Sequence, residues 1–228
     1  MEIIPVIDVM RGKVVHASAG NRSHYSSLKS ILTTSDHPIQ VIKDVLAYHP
    51  FSKVYIADLD AIVDDKINED LYCQLAEKFP QISIWLDAGI RTKERWLRLV
   101  TFSNFFPVLG SETLRDIYWL QDPFVRKRSI MSLDFKLGQF LGDKALLSQP
   151  DYWTEYIIAM NLDCIGSSVG PDIALLETLK NSTSSEVIAA GGVRDRDDLR
   201  RLDLHGIERV LVASALHNGK LTKDCFST

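Results

Sequence analysis

The chain has 228 residues, 46% of them hydrophobic and 25% charged, with a net charge of −4 and a pI near 5.9. That length and balance suit one globular domain burying roughly 70% of its unfolded surface, and they argue against a broad nucleic-acid-binding face. Cys73, Cys164 and Cys225 form neither a disulfide framework nor a zinc spacing; no apolar run reaches the roughly 18 residues of a membrane span, and the start Met1–Pro5 lacks the regions of a signal peptide. The expectation is a single cytoplasmic domain (1–228), monomeric or a small homo-oligomer, with no membrane or nucleic-acid partner, no metal and no cofactor.

In chain order, short β-branched runs alternate with amphipathic segments. Strands are expected at Glu2–Asp8, Ser52–Asp58, Ile82–Asp87, Phe105–Gly110, Arg128–Asp134, Leu162–Ser167, Glu186–Gly191 and Arg209–Ala213. Helices are expected at Pro38–Tyr48, Asn68–Lys78, Lys93–Val100, Thr113–Gln121, Asp151–Met160, Pro171–Asn181 and Asp195–Leu204, with a short eighth at Ala213–Asn218. Pro38 and Pro171 suit a first helical turn and Asp195 suits an N-cap. Eight unbroken strand–helix alternations, apolar enough for strands covered on both faces, predict a (β/α)₈ TIM barrel of the α/β class, with an open doubly wound sheet as the structural alternative. Two features interrupt the alternation. Lys13–Ser18 reads as a small β-ribbon leading into a long polar loop, Ala19–Ser35, and Phe135–Gln149 is a second extended loop.

An internal repeat divides the chain into two halves. Shifted by 103 residues, Ala88-Gly89-Ile90-Arg91 falls on Gly191-Gly192-Val193-Arg194, and Val108-Leu109-Gly110-Ser111 falls on Leu211-Val212-Ala213-Ser214. A glycine turn between strand and helix lets backbone N–H groups approach an oxyanion, and turns after the last two strands of a barrel commonly hold phosphate. The repeat therefore predicts two phosphate sites on opposite sides of the barrel mouth, although each glycine could simply close a tight turn. The halves are not identical: Gly110 corresponds to Ala213, and Glu112 brings a negative charge beside one pocket.

Asp8 and Asp134 end the first and fifth strands, four strands apart, where barrel enzymes place their chemistry. Two carboxyl groups in different surroundings can act as base and acid in one proton-transfer cycle; each could equally brace a loop. Asp58, Asp60 and Asp87 crowd the same end without a metal-ligand spacing, and His16 and His24 in the first loop region could contact substrate.

Together these residues resemble the phosphoribosylformimino-5-aminoimidazole carboxamide ribotide isomerase (HisA) family of histidine biosynthesis. The resemblance spans nearly the whole chain and is carried by Ile4-Pro5-Val6-Ile7-Asp8 with Gly12-Lys13-Val14-Val15, Ala57-Asp58-Leu59-Asp60-Ala61, Ala88-Gly89-Ile90-Arg91, Leu133-Asp134, Ala190-Gly191-Gly192-Val193 and Ser214-Ala215-Leu216. It implies an Amadori rearrangement of an aminoaldose to an aminoketose on a substrate with two phosphates. In that reading Asp8 removes the C2 proton and Asp134 protonates the ring oxygen. Gly89, Arg91, Gly110 and Ser111 hold one phosphate, Gly191, Gly192 and Ser214 the other, and Gly20 and Ser167 complete the binding set.

The chain departs from the family pattern at several points. Asp87 and Ala88 replace the first two glycines of the usual Gly-Gly-Gly-Ile-Arg loop, Gly110-Ser111-Glu112 replaces Gly-Thr-Ala, and Tyr55 stands where a histidine is common. Gly166–Gly170 replaces a Thr-Asp-Ile strand end and its Asp-Gly loop, and Ala213 stands where a glycine is expected. These changes imply a divergent HisA-like paralogue. Three readings stay open: the histidine-pathway isomerase, a related barrel enzyme acting on another phosphorylated metabolite (as in one-carbon and pterin cofactor pathways), or a non-catalytic phosphometabolite-binding barrel. The cyclase relative is less apt, because His16 stands where that family tends to carry a lysine.

Overall fold

The structure is a computed structural model that describes residues 1–17, 25–167 and 169–226. Eight parallel strands close on themselves: β1 (Glu2–Met10), β4 (Lys53–Asp58), β5 (Ser83–Asp87), β6 (Phe105–Gly110), β7 (Ile130–Lys136), β9 (Tyr156–Asn161), β10 (Glu186–Ala190) and β11 (Arg209–Val212). The ring is sealed where β11 pairs with β1, Ile4 opposite Leu211 and Pro5 opposite Val212. The TIM barrel expected from the alternation is therefore the fold. Among the described residues, three short strands lie outside the ring. β2 (Lys13–His16) folds back antiparallel on β1 and is joined by β3 (Ser26–Ser27), while β8 (Gln139–Leu141) folds back on β7.

Helices α1 (Pro38–Tyr48), α3 (Glu69–Lys78), α4 (Lys93–Leu99), α5 (Pro123–Lys127), α6 (Lys144–Ser148), α7 (Ile173–Lys180), α8 (Arg196–Leu204) and α9 (Ser214–His217) connect the strands, and α2 (Leu59–Asp64) is a short extra turn after β4. The start signals behave as their chemistry dictates. Pro38 opens α1, and Asp195 caps α8 by accepting from the N–H groups of Asp197 and Asp198. Thr92 caps α4 at the position the repeat equates with Asp195, so the two halves match beyond their glycine turns. Pro171, by contrast, lies before the helix, and Asp172 caps α7.

The sixth unit differs from the sequence expectation. Asp151–Met160 is not a helix and Leu162–Ser167 is not a strand: Tyr156–Asn161 is the strand, preceded by a 3₁₀ turn at Pro150–Tyr152 and followed by another at Leu162–Cys164. Its register explains why. Ile157 and Ile158 lie between Met131 and Ser132 on one side and Val187 and Ile188 on the other, a place only a fully buried run can fill. The helix expected at Thr113–Gln121 likewise reduces to a 3₁₀ turn, Tyr118–Gln121, before α5.

Strand alternation sorts the core into two layers. Ile4, Tyr55, Trp85, Val108, Ile130, Ile158, Ile188 and Leu211 fill the barrel interior. Ile3, Ile7, Ile56, Leu86, Leu109, Met131, Ile157 and Val210 face the helices. At the N-terminal end, Glu2 accepts from Lys53 at 2.5 Å and Arg209 at 2.6 Å, Arg209 also pairs with Glu186, and its guanidinium lies 5.1 Å from the Tyr156 ring. This cluster ties β4, β1, β11, β10 and β9 together across the closing seam. Arg209→Met leaves Glu2 and Glu186 without their shared cation, with an expected loss of about 2 kcal/mol in urea unfolding and no change in ligand binding at the opposite end.

Candidate active site

The period of two that places Ile4 and Val6 inside the barrel also turns Asp8 inward at the C-terminal end of β1. Asp87 follows Trp85 in the same phase on β5, and Asp134 follows Ile130 and Ser132 on β7. These carboxylates and Glu112 line a cavity of about 200 Å³ at the barrel mouth, together with Tyr25, Tyr55, Lys136, Met160, Gly191, Gly192 and Ser214. Gly110 is in phase with Val108; a Cβ there would lie 3.5 Å from Asp134 Oδ2 and 3.7 Å from Asp87 Oδ2, so this glycine stands between the two carboxylates.

The two opposed aspartates have unequal surroundings. Asp134 is buried; its carboxylate accepts from Ser132 Oγ at 2.6 Å, Ser111 Oγ at 3.1 Å and the Glu112 N–H at 3.2 Å, and its own N–H donates to Ser111 Oγ at 2.9 Å. Asp8 is half-buried, and no described residue donates to its carboxylate. Burial is the main force raising both carboxyls to about 7. The charge of Asp87 adds to this at Asp8, while at Asp134 the Ser132 hydroxyl opposes it and the charges of Glu112 and Asp87 reinforce it. Asp87 itself accepts from Tyr55 Oη at 3.2 Å and from the Gly89 N–H at 3.1 Å.

Positions equivalent in the repeat do different work in the two halves. In the first half, the Gly89 N–H is taken by Asp87, the Ser111 hydroxyl and Glu112 N–H by Asp134, and the Ser111 N–H by Ser132 O at 2.9 Å. In the second half Ala190 stands where Asp87 stands. The N–H groups of Gly192 and Ser214 have no acceptor among the described residues, and Gly191, Gly192, Val193, Ala213 and Ser214 face the cavity. The Ser214 hydroxyl lies 3.3 Å from His16 Nε2.

Gly89, Arg91, Gly110, Ser111 and Ser167 do not line the cavity. Gly89 has φ +58°, and a Cβ would come within 2.7 Å of Ile62 Cα, so the glycine lets the turn pack beneath α2. Arg91 caps that helix, donating to the carbonyls of Ile62 at 2.7 Å, Gly89 at 2.8 Å and Ala61 at 3.3 Å while pairing with Asp65. Its counterpart Arg194 is held by the buried Asp198 through bonds of 2.7 and 2.8 Å. The Ser167 hydroxyl donates to Cys164 O. Gly20 and His24 lie outside the described residues. Among the described residues, no group of three or more His, Cys, Asp and Glu is arranged to hold a metal, and no described helix is long and apolar enough to cross a membrane.

Lys136 also lines the cavity, although no sequence motif singles it out. Its signal was present, since it stands two residues beyond Asp134 on the same face of β7. Met160 was hidden by the misplaced sixth strand.

A parallel barrel with a carboxylate-lined cavity at its C-terminal mouth defines this chain as a (β/α)₈ barrel of the kind that builds its site from strand ends and βα turns. The model of the histidine biosynthesis protein family matches residues 2–222, and the chain belongs to that family. It is 31% identical over 228 residues to an uncharacterized protein of Methanocaldococcus jannaschii, covering 97% of this chain and 95% of that one. It is also similar to two proteins named 1-(5-phosphoribosyl)-5-((5-phosphoribosylamino)methylideneamino)imidazole-4-carboxamide isomerase. With that of Prochlorococcus marinus it shares 27% identity (97% of this chain, 91% of the other), and with that of Bacillus cereus 26% (95% and 93%).

The raised carboxyls tie stability to pH. With its mid-point near 7 in the fold against 3.8 in the unfolded chain, Asp8 contributes stability that is complete below pH 4 and is lost as pH rises through 7. Asp8→Asn is therefore expected to stabilise the protein by roughly 1–2 kcal/mol at pH 8 and not at pH 3.5 in urea titrations. An equal gain at both pH values would mean that packing, not charge, is responsible.

Proposed function

We propose that the protein is a sugar-phosphate isomerase that carries out an aldose-to-ketose (Amadori-type) rearrangement with Asp8 and Asp134 as its proton-transfer pair. The observation that carries this reading is the pair itself: two carboxyls on opposite strands, facing one cavity, with mid-points near neutrality. At such mid-points one group is readily charged while the other is protonated, as acid–base exchange requires. The open turns at Gly191, Gly192 and Ser214 supply the anion-binding side, and the names of the isomerase relatives support the reaction class.

In this reading one carboxyl gives its proton to the ring oxygen of an N-glycoside. The C1–O bond opens as the nitrogen lone pair forms C1=N. The other carboxylate takes the C2 proton, leaving an enolamine. Protonation at C1 and loss of the enol proton give the aminoketose, so the sum is an isomerisation needing no oxidant or reductant. The resemblance assigns Asp134 to the ring oxygen and Asp8 to C2. Asp8 suits the second role, since no described residue donates to its carboxylate.

The departures at Asp87, Glu112 and Tyr55 favour a substrate other than the histidine-pathway ribotide, because Asp87 and Asp134 occupy donors a second phosphate would need. Both possibilities are tested with the same variants. Turnover of the ribotide, or solvent-deuterium entry at C2 of aldose phosphates offered as alternatives, should fall at least roughly a hundredfold in Asp8→Asn and in Asp134→Asn. Rates should peak near neutral pH and decline on both sides. Wild-type exchange equal to that of both variants on every substrate would overturn the isomerase reading in favour of a binding barrel.

A further inference from the structure

Two residues before each of the opposed aspartates, on the same inward face of its strand, the chain places different chemistry. Below Asp8 stands Val6, and below Asp134 stands Ser132. Resting on the acid–base reading of that pair, we infer that Ser132 is a positioning residue, whose buried hydroxyl holds Asp134 by Oδ1 and enables Asp134 to release its proton to the substrate.

Ser132 is wholly buried, and a hydroxyl inside an apolar barrel costs free energy unless it is hydrogen-bonded. A valine fills the matching place below Asp8 without bringing a polar atom to satisfy. The partner of the Ser132 hydroxyl is Asp134 Oδ1 at 2.6 Å, the short contact expected of an O–H donor on a carboxylate. No other described residue donates to Oδ1, whereas Oδ2 is shared by Ser111 Oγ at 3.1 Å and the Glu112 N–H at 3.2 Å. The strand holds the hydroxyl in place. Ser132 pairs with Gly110 on one side and Ile158 on the other, and its carbonyl accepts from the Ser111 N–H.

A hydrogen bond of this kind strengthens as its acceptor becomes charged. When Asp134 passes its proton to the ring oxygen, charge collects on a carboxylate that Ser132 already faces. Burial holds the Asp134 proton on, and the Ser132 hydroxyl is the largest influence opposing it. Asp8 has no such donor among the described residues, so its carboxylate keeps its affinity for the C2 proton. Ser132 does not line the cavity and acts only through Asp134. A serine below one aspartate and a valine below the other thus give two like acids different tasks.

The experiment labels the aspartate carboxyl carbons with ¹³C and follows them by NMR against pH in wild type, Ser132→Ala and Ser132→Thr, with the Asp134 signal identified by its loss in Asp134→Asn. In Ser132→Ala the Asp134 mid-point should rise by about one pH unit, the effect of losing a hydrogen bond to a charged group, while that of Asp8 moves far less. Ser132→Thr keeps the hydroxyl and should stay near wild type. In proton exchange at C2 of aldose phosphates, one limb of the rate profile should move with Asp134, with kcat lower by roughly three- to tenfold and KM within about twofold. An Asp134 mid-point unchanged in Ser132→Ala would overturn the inference and leave the isomerase reading intact. Equal shifts in Ser132→Ala and Ser132→Thr would overturn it as well, marking Ser132 as packing alone. Absence of turnover on every substrate offered, with the Asp134 mid-point moving as stated, would remove the isomerase reading and leave the hold of Ser132 on Asp134 standing.

Discussion

The pairing of β11 with β1 is the constraint on which the molecule depends. Once the ring closes, every strand must keep one set of alternate side chains inside, and the phase of each strand is no longer free. Ile4, Trp85 and Ile130 are the apolar members of three such sets, and Asp8, Asp87 and Asp134 are their continuation at the C-terminal end. The carboxylates converge because of the sheet's register, without loops having to bring them together. The seam is reinforced below by Glu2, Arg209 and Glu186, far from the cavity, so the end that closes the barrel and the end that carries chemistry are separate.

Convergence has an energetic consequence. Several acids at the end of one apolar barrel repel one another and lose hydration, and the raised mid-points of Asp8 and Asp134 express that cost. The fold offsets it selectively. Asp134 receives two hydroxyls and an amide, Asp87 a phenol and an amide, and Asp8 nothing from the described residues. The group left with least support is the one best placed to change its charge when a substrate arrives, as expected where active sites hold strain that the scaffold tolerates.

Much of this was legible in the sequence. The alternation gave eight βα units, the strand ends gave Asp8 and Asp134, and the shifted repeat located turns that do lie in matching places. The failures have physical causes. Tyr156–Asn161 carries an apolar run that local patterning cannot distinguish from a helix face, and only pairing with β7 and β10 decides it. Arg91 reads as an anion ligand by motif, yet the extra helix α2 presents it with carbonyls at shorter range. The repeat aligned donor with donor but was silent on what accepts from them. That depends on Asp87, two residues before Gly89 at the end of the same strand, and on Asp134 from the strand beside the Ser111 turn, neither of which is part of the repeated motif.

The saturated donors of the first half also determine when each side of the mouth is organised. The turns at Gly89 and Ser111 are fixed by internal acceptors during folding, so their conformational entropy is already spent before any ligand arrives. The N–H groups of Gly192 and Ser214 have no such acceptor among the described residues, and their turns are held instead by close packing, with a Cβ at Gly192 coming within 2.1 Å of Gly170 O. One side of the mouth thus has its donors satisfied internally, while the other presents donors with no acceptor among the described residues. A donor already satisfied within the protein has less to offer a ligand than an open one, so the two sides of the mouth differ in chemistry although their turns match in sequence.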